Sequence, residues 1–224
     1  MNQMEAIIFD MDGVIVDSEP IHQRVERQIF EELLLPVSRG EHETYLGTSS
    51  PDMFQAIAAA HPTEWKRVNR SVAEVVALER RRYREALREG TVPLVAGAVD
   101  AIRGAADRGF AVAIASSAPR EQIIDVIALT DTAEIIRCIK SAEDVLHSKP
   151  DPEIYRAAAA CLGVVPERCW VVEDSHHGVT AAVDAGMRCI AYRNPSSGEP
   201  DLSAAELVVD AMENVISAIS STAG

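Results

Sequence analysis

Positive charge is scarce in this chain. Its 224 residues carry 21 Lys and Arg against 35 Asp and Glu, a formal net charge of -14, and only Lys66, Lys140 and Lys149 are lysines. Nucleic acids and anionic membranes are bound by neutralising phosphates with Lys and Arg, so both drop out as partners. A small anionic substrate stays in play where basic groups are concentrated locally. Cysteine is also sparse. Cys138, Cys161, Cys169 and Cys189 form no CxxC pair and no zinc-ligand spacing, so reduced thiols in a cytoplasmic protein are expected. No apolar run approaches the ~18 residues of a membrane span. The N-terminal Met1-Asn2-Gln3-Met4-Glu5 lacks the basic start of a secretion signal.

Several motifs are missing as well. Without GxGxxG there is no dinucleotide phosphate loop, and without GxSxG there is no serine-hydrolase elbow. Gly104 to Gly109 has Walker spacing but continues Phe110-Ala111 where Lys-Ser/Thr is required. Internal repeats and low-complexity segments are absent too. At 47% hydrophobic and 25% charged residues, the composition is that of a globular protein with a proper core.

Two patterns divide the chain. After Gly90, short apolar runs alternate with helical stretches, which predicts repeated βα units and a mostly parallel sheet. The expected strands are Ala6 to Phe9, Phe110 to Ala115, Ile135 to Ile139, Trp170 to Val172, Cys189 to Tyr192 and Leu207 to Val209. Asp151-Pro152 reads as an N-cap with a first-turn proline, Pro119 as a first-turn residue and Gly186 as a helix stop. From Asp17 to Glu89 there is no convincing strand, and Val68, Val72, Val75, Val76, Tyr83 and Leu87 fall near one helical stripe. This segment reads as a helical insertion after the first strand. Its Arg80-Arg81-Arg82 run reads as a solvated helix face.

Reactive side chains gather where the predicted strands stop. Ile7-Ile8-Phe9 runs into Asp10-Met11-Asp12-Gly13, and the period of two puts Asp10 and Asp12 on one side of the chain. In open α/β sheets ligands bind at that carboxyl edge. Two neighbouring carboxylates there call for a cation or a shared proton, although Asp-x-Asp-Gly also makes an ordinary turn. Ser116 and Ser117 follow the next strand and suit a phosphoryl oxygen or a helix cap. Lys149 precedes a helix, where its ammonium would neutralise a phosphoryl group or stand in solvent. Trp170-Val171-Val172 ends in Glu173-Asp174. Asp10, the Asp12 carbonyl and Asp174 make an oxygen set suited to Mg²⁺, with Glu173 orienting a bound water or Lys149, while Asp174 also reads as an N-cap. His176-His177 is a helix start.

In this order the array resembles the haloacid dehalogenase superfamily of phosphotransferases, with matches to all four of its motifs across nearly the whole chain. The resemblance implies an α/β fold with a Rossmann-like sheet core over residues 1–16 and 91–224 and an all-helical cap over 17–90. It implies an aspartyl-phosphate mechanism with Asp10 as nucleophile and Asp12 as acid and then base. Ser116 and Lys149 would hold the phosphoryl group, Mg²⁺ would be the cofactor, and a small phosphorylated metabolite, expected to be a sugar phosphate, would be the substrate. A monomer or weak homodimer is expected.

Asp12 separates branches of that family. Members cleaving C-halogen or C-P bonds typically lack an aspartate there, whereas phosphatases and phosphomutases carry one. His22 matches a hinge histidine of the β-phosphoglucomutase branch. Gly47 to Pro51, including Gly47 and Ser50, falls where the family's cap loop meets substrate, together with Ser117 on the core side. The arginine and the Ser-Lys pair that hold a second phosphate in the mutases are missing, with Ser50 at the first position and Ala118-Pro119 at the others. Arg120 or a cap arginine would have to compensate. A phosphatase is therefore expected ahead of a hexose phosphomutase, and both ahead of an inactive phospho-ligand binder.

Overall fold

The computed structural model describes residues 4–45, 49–90 and 92–222. Gly47, one of the expected substrate contacts, lies outside them. The chain divides into two compact units, one running up to Asp17 and resuming at Pro93, the other spanning Ser18–Val92.

In chain order the elements are β1 (Ala6–Phe9), α1 (Glu19–Glu32), α2 (Arg39–Glu43), α3 (Ser50–Ala60), α4 (Pro62–Val68), α5 (Val72–Arg88), α6 (Ala98–Asp107), β2 (Ala111–Ala115), α7 (Arg120–Thr130), β3 (Ile136–Lys140), α8 (Glu153–Leu162), β4 (Cys169–Glu173), α9 (His176–Asp184), β5 (Arg188–Tyr192), β6 (Leu207–Val209) and α10 (Val215–Ser221). The strands form one parallel sheet in the order β3-β2-β1-β4-β5-β6. This is the doubly wound Rossmann order, with its switch point beside β1.

Parallel strands covered on both faces must be apolar on both, which explains why these runs do not alternate with polar residues. Ile8 pairs with Ala113 on one side and Val171 on the other. That face packs against Tyr155 and Ala158 of α8 and Val179 and Ala182 of α9. The opposite face presents Ile7, Phe9, Val112, Ile114, Trp170 and Val172, all buried. Among the described residues, no helix is long and apolar enough to cross a membrane.

The helical unit contains α1 to α5, with α1 and α3 both packed on α5. Ser71 and Glu74 close a capping box at the start of α5, satisfying two backbone donors that a bare helix end would leave open. The expected stripe is broken in two. Val68 ends α4, Asn69 takes a left-handed φ of 52°, and α5 restarts at Val72, leaving Val75, Val76, Tyr83 and Leu87 as its buried face.

Three local readings need correction. Pro119 and Pro152 are caps preceding their helices, because a ring that fixes φ and lacks an N–H suits the boundary. Asp151 accepts from the Glu153 N–H at 2.9 Å from just outside the helix. The expectation of reduced thiols fails for one pair. Cys138 in β3 and Cys161 in α8 form a disulfide with Cα atoms 6.3 Å apart. Their separation of 23 residues gave no sign of it, because only the packing of α8 on β3 brings them together. Cys169 and Cys189 are buried free thiols, and burial pushes Cys169 up to about 11.

Ile8 is fully buried on the central strand. Ile8→Ala is expected to cost about 2–5 kcal/mol in urea denaturation. A loss below 1 kcal/mol would show that this face repacks freely.

Candidate active site

β1 stops at Phe9, and the Asp10 N–H continues the ladder by donating to the Val172 carbonyl at 2.9 Å. Asp10 therefore stands beside the end of β4, and Glu173 and Asp174 follow there. One oxygen from each of these three carboxylates lies within 4.8 Å of the others, and all three residues are buried. Such a group repels itself and loses hydration unless something positive enters it.

Lys149 supplies that charge. Its Nζ donates to Asp10 Oδ1 at 2.5 Å, Glu173 Oε1 at 2.7 Å and the Ala115 carbonyl at 3.2 Å, using all three ammonium protons. One side chain thus joins the ends of β1, β2 and β4. Burial alone would lower the Lys149 pKa, but Asp10 and Glu173 outweigh it and raise it above the ordinary lysine value. Asp10 is pushed up by burial, with Lys149 opposing and the other carboxylates adding to the rise. At 2.5 Å from the ammonium we take the pair as ionised, with Asp10 harder to ionise than a solvated carboxyl.

Glu173 braces the site. Lys149 and the Tyr155 hydroxyl donate to Oε1, and the Asp174 N–H, Ser175 N–H and Ser175 hydroxyl donate to Oε2, at 2.7 to 3.0 Å. Lys149 and these bonds hold its pKa down against burial. Burial keeps the Tyr155 phenol protonated and able to donate. A side chain on Gly178 would have its Cβ 1.6 Å from Glu173 Oε1, so α9 approaches this carboxylate as closely as only glycine permits.

With the Glu173 oxygens committed, Asp10 and Asp174 are the carboxylates left to hold a cation. Burial and the adjacent Glu173 push Asp174 up to about 7, while a 2.6 Å bond from Ser197 pulls the other way. Gly13 has a φ of 78°, and a Cβ there would lie 1.9 Å from Asp174 Oδ2. The Asp12-Gly13 backbone thus comes directly against Asp174. Buried carboxylates beside close backbone, with no sulfur or imidazole among them, fit a hard cation such as Mg²⁺.

Asp12 differs from the extended-strand picture. It lies past the strand in a turn where the Met11 carbonyl accepts the N–H groups of Val14, Ile15 and Val16. Its carboxylate is outside the three-carboxylate group, although its charge still raises both Asp10 and Asp174. Ser116 is buried at the end of β2, with Oγ accepting from the Ala118 N–H at 3.0 Å, and Ser117 is exposed beside it. His22 and Ser50 belong to the helical unit. There the His22 Nδ1 meets Glu79 at 2.6 Å, and Ser50 opens α3 after the Ser49 cap.

The segment after β5 was missed entirely. Asn194 donates to the Gly13 carbonyl at 3.0 Å, Ser196 donates to Asp17 at 2.9 Å and Ser197 reaches Asp174. The available signal was the polar Asn194-Pro195-Ser196-Ser197 directly after a predicted strand. Arg120 is also resolved. Its Nη2 contacts both Asp144 oxygens, at 2.6 and 2.8 Å, and Ser141 with Arg120 holds Asp144 down at about 2.

Comparison with known proteins identifies the family. Residues 7–192 match the family described as Haloacid dehalogenase-like hydrolase. Hexitol phosphatase B of Escherichia coli K12 is 33% identical over 201 residues, covering 87% of this chain and 86% of that protein. Beta-phosphoglucomutase of Bacillus subtilis is 29% identical over 208 residues, covering 92% and 89%. The structure of CbbY from Rhodobacter sphaeroides, in complex with phosphate, superposes with a TM-score of 0.78 at 25% identity, covering 95% of this chain and 96% of that one.

Two outcomes follow from the buried charges. Lys149→Met leaves two carboxylates without their cation and is expected to cost about 3–5 kcal/mol in chemical denaturation; a loss under 1 kcal/mol would mean that water compensates them. Asp174 must shed its proton to bind a cation. Mg²⁺ affinity should therefore rise up to ~10-fold per pH unit below about 7 and flatten above it. Calorimetry in two buffers of different ionisation enthalpy should detect the released proton, and pH-independent binding with no release would contradict the assignment.

Proposed function

The chain belongs to the haloacid dehalogenase-like hydrolase family and is a phosphatase-type enzyme, and from that premise we propose that it is a Mg²⁺-dependent phosphatase of a small phosphorylated sugar or sugar alcohol. The observation that carries this reading is the Asp10 carboxylate held by Lys149 at the carboxyl edge, facing Asp174 across the switch point and next to the strand that ends at Ser116.

Phosphoryl transfer asks for an aligned nucleophile and for neutralisation of equatorial oxygen charge. Asp10 attacks phosphorus and becomes the aspartyl phosphate as the P–O bond to the substrate breaks, while Asp12 gives its proton to the departing oxygen. Asp12 then takes a proton from water, whose oxygen attacks the aspartyl phosphate to release inorganic phosphate and restore Asp10. The Ser116 hydroxyl holds a phosphoryl oxygen, and Lys149 turns the proton now on the Ala115 carbonyl toward another while keeping Asp10 and Glu173. Asp10, the Asp12 carbonyl and Asp174 would hold Mg²⁺, which would supply charge neutralisation at the phosphoryl group. Glu173 keeps Lys149 pointed at Asp10, and Ser117 lies on the substrate side of Ser116.

The residues 17–90 act as the cap that selects substrate, with His22, Gly47 and Ser50 as its contacts. The enzyme acts in the cytoplasm as a monomer or weak homodimer. A mutase needs basic groups for a second phosphate, and Arg120, the nearest replacement to Ala118-Pro119, is already neutralised by Asp144. The commitment of Arg120 supports water as the acceptor.

Asp10→Asn should lower turnover by ~10⁴-fold or more. Asp12→Asn should lower it by ~10²–10⁴-fold, because general acid-base help is lost while the nucleophile remains. Phosphate release from a panel of sugar and sugar-alcohol phosphates with Mg²⁺ tests the reading, run beside conversion of a hexose 1-phosphate to its 6-phosphate. Isomerisation without phosphate release would establish a mutase, and full activity of Asp10→Asn would remove the proposed nucleophile.

A further inference from the structure

A second group of buried ionisable side chains lies within the helical unit, and the phosphatase mechanism makes no use of it as a group. His22 and Glu26 are four residues apart on α1 and so share one face of that helix. Glu79 comes from α5 and His42 from α2. Ligand atoms of His22, Glu26 and Glu79 lie within 4.8 Å of one another. His22 Nδ1 is 2.6 Å from Glu79 Oε1, and His42 Nε2 is 2.6 Å from Glu26 Oε2.

Burial makes this arrangement demanding. The Glu79 side chain is 1% exposed, Glu26 10% and His42 6%, so both carboxylates are nearly removed from water while facing each other. Glu19, one turn earlier on α1, is pushed up by burial, with Gln23, His22 and His42 opposing and Glu26 adding to the rise. Buried acids in such proximity call for positive charge.

Tyr83 stacks on His22 with centroids 4.2 Å apart at 9°, and Phe30 meets His42 edge-on at 5.0 Å. Aromatic packing therefore restrains both rings beside the carboxylates. The His22 side chain is 28% exposed and leaves an entry path for a small ion.

We propose that His22, Glu26 and Glu79 form a divalent-cation site that ties α1 and α5 together, with His42 bracing Glu26 from α2. One imidazole and two carboxylates make a borderline nitrogen-oxygen set, which selects Zn²⁺, Co²⁺ or a similar first-row ion over Mg²⁺. Helical bundles build such sites from inward His and Glu side chains on facing helices. Its chemistry differs from the all-oxygen group at Asp10 and Asp174, and it stands whether or not the chain is a phosphatase. His22 thereby gains a role as a ligand beyond the substrate contact expected from the resemblance.

Co²⁺ added to the full chain in excess Mg²⁺ tests the site by its visible d–d absorption. The expected result is one tightly held Co²⁺ per chain, displaced by Zn²⁺ and lost in both E79Q and E26Q. Far-UV circular dichroism checks that each variant is folded. Wild-type protein with ¹⁵N-labelled imidazoles gives a reading free of any folding defect, since bound Co²⁺ should shift the signal of His22 most. No uptake in excess Mg²⁺ would overturn the proposal and leave the four residues as two ion pairs. Absorption surviving in both folded variants would overturn it equally, by placing the ion elsewhere, for instance at the exposed His147, Asp151 and Glu153.

Discussion

The ammonium of Lys149 sits where three strands of the sheet unit end, and the candidate active site is arranged around it. Asp10, Glu173 and Asp174 are buried together, and three carboxylates cannot share such a space without a cation. Lys149 contributes one positive charge, and its protons go to Asp10, Glu173 and the Ala115 carbonyl, with none for Asp174. One cation falls short of three carboxylates, and burial together with Glu173 pushes Asp174 up to about 7. The shortfall is a physical reason for a second cation, and it makes the fold and the proposed chemistry two consequences of one electrostatic constraint.

The surrounding structure prevents this cluster from relaxing. Glu173 accepts five hydrogen bonds, so it cannot swing toward a bound ion and serves instead to aim Lys149. Gly13 and Gly178 allow backbone to come against Asp174 and Glu173 at distances that exclude a Cβ. Asn194, Ser196 and Ser197 tie the segment after β5 to Gly13, Asp17 and Asp174. Preorganisation of this kind favours catalysis because charged groups need not reorient as charge develops on the substrate.

Family membership and site chemistry answer different questions. The Haloacid dehalogenase-like hydrolase match spans both the sheet unit and the helical unit, and its relatives include a hexitol phosphatase and a beta-phosphoglucomutase. Choosing between water and a sugar hydroxyl as acceptor depends on where spare positive charge remains. Here Arg120 is bound by Asp144 and the positions after Ser117 are Ala118 and Pro119. With 21 basic residues against 35 acidic ones, and Arg120 already paired, little positive charge remains there to hold a second phosphate.

Local pattern in the amino-acid sequence was enough to determine the strands, the helical insertion and the order of polar residues at the strand ends. β1 and β6 match their expected limits, and the other strands differ by one or two residues, because burial on both faces writes a short apolar run directly into the chain. Asp10, Glu173 and Asp174 were legible for the same reason, since each ends or follows such a run at the edge where ligands bind, and Lys149 was legible as one of three lysines placed just before a helix. What the tertiary structure alone decided is which side chain meets which. The Lys149 to Asp10 bond joins residues 139 apart and the Asn194 to Gly13 bond residues 181 apart. The Cys138–Cys161 disulfide, the commitment of Arg120 and the His-Glu group of the helical unit arise in the same way. Periodicity reports which face a residue occupies over a few turns or strand positions, whereas contacts between distant segments exist only after the elements have packed.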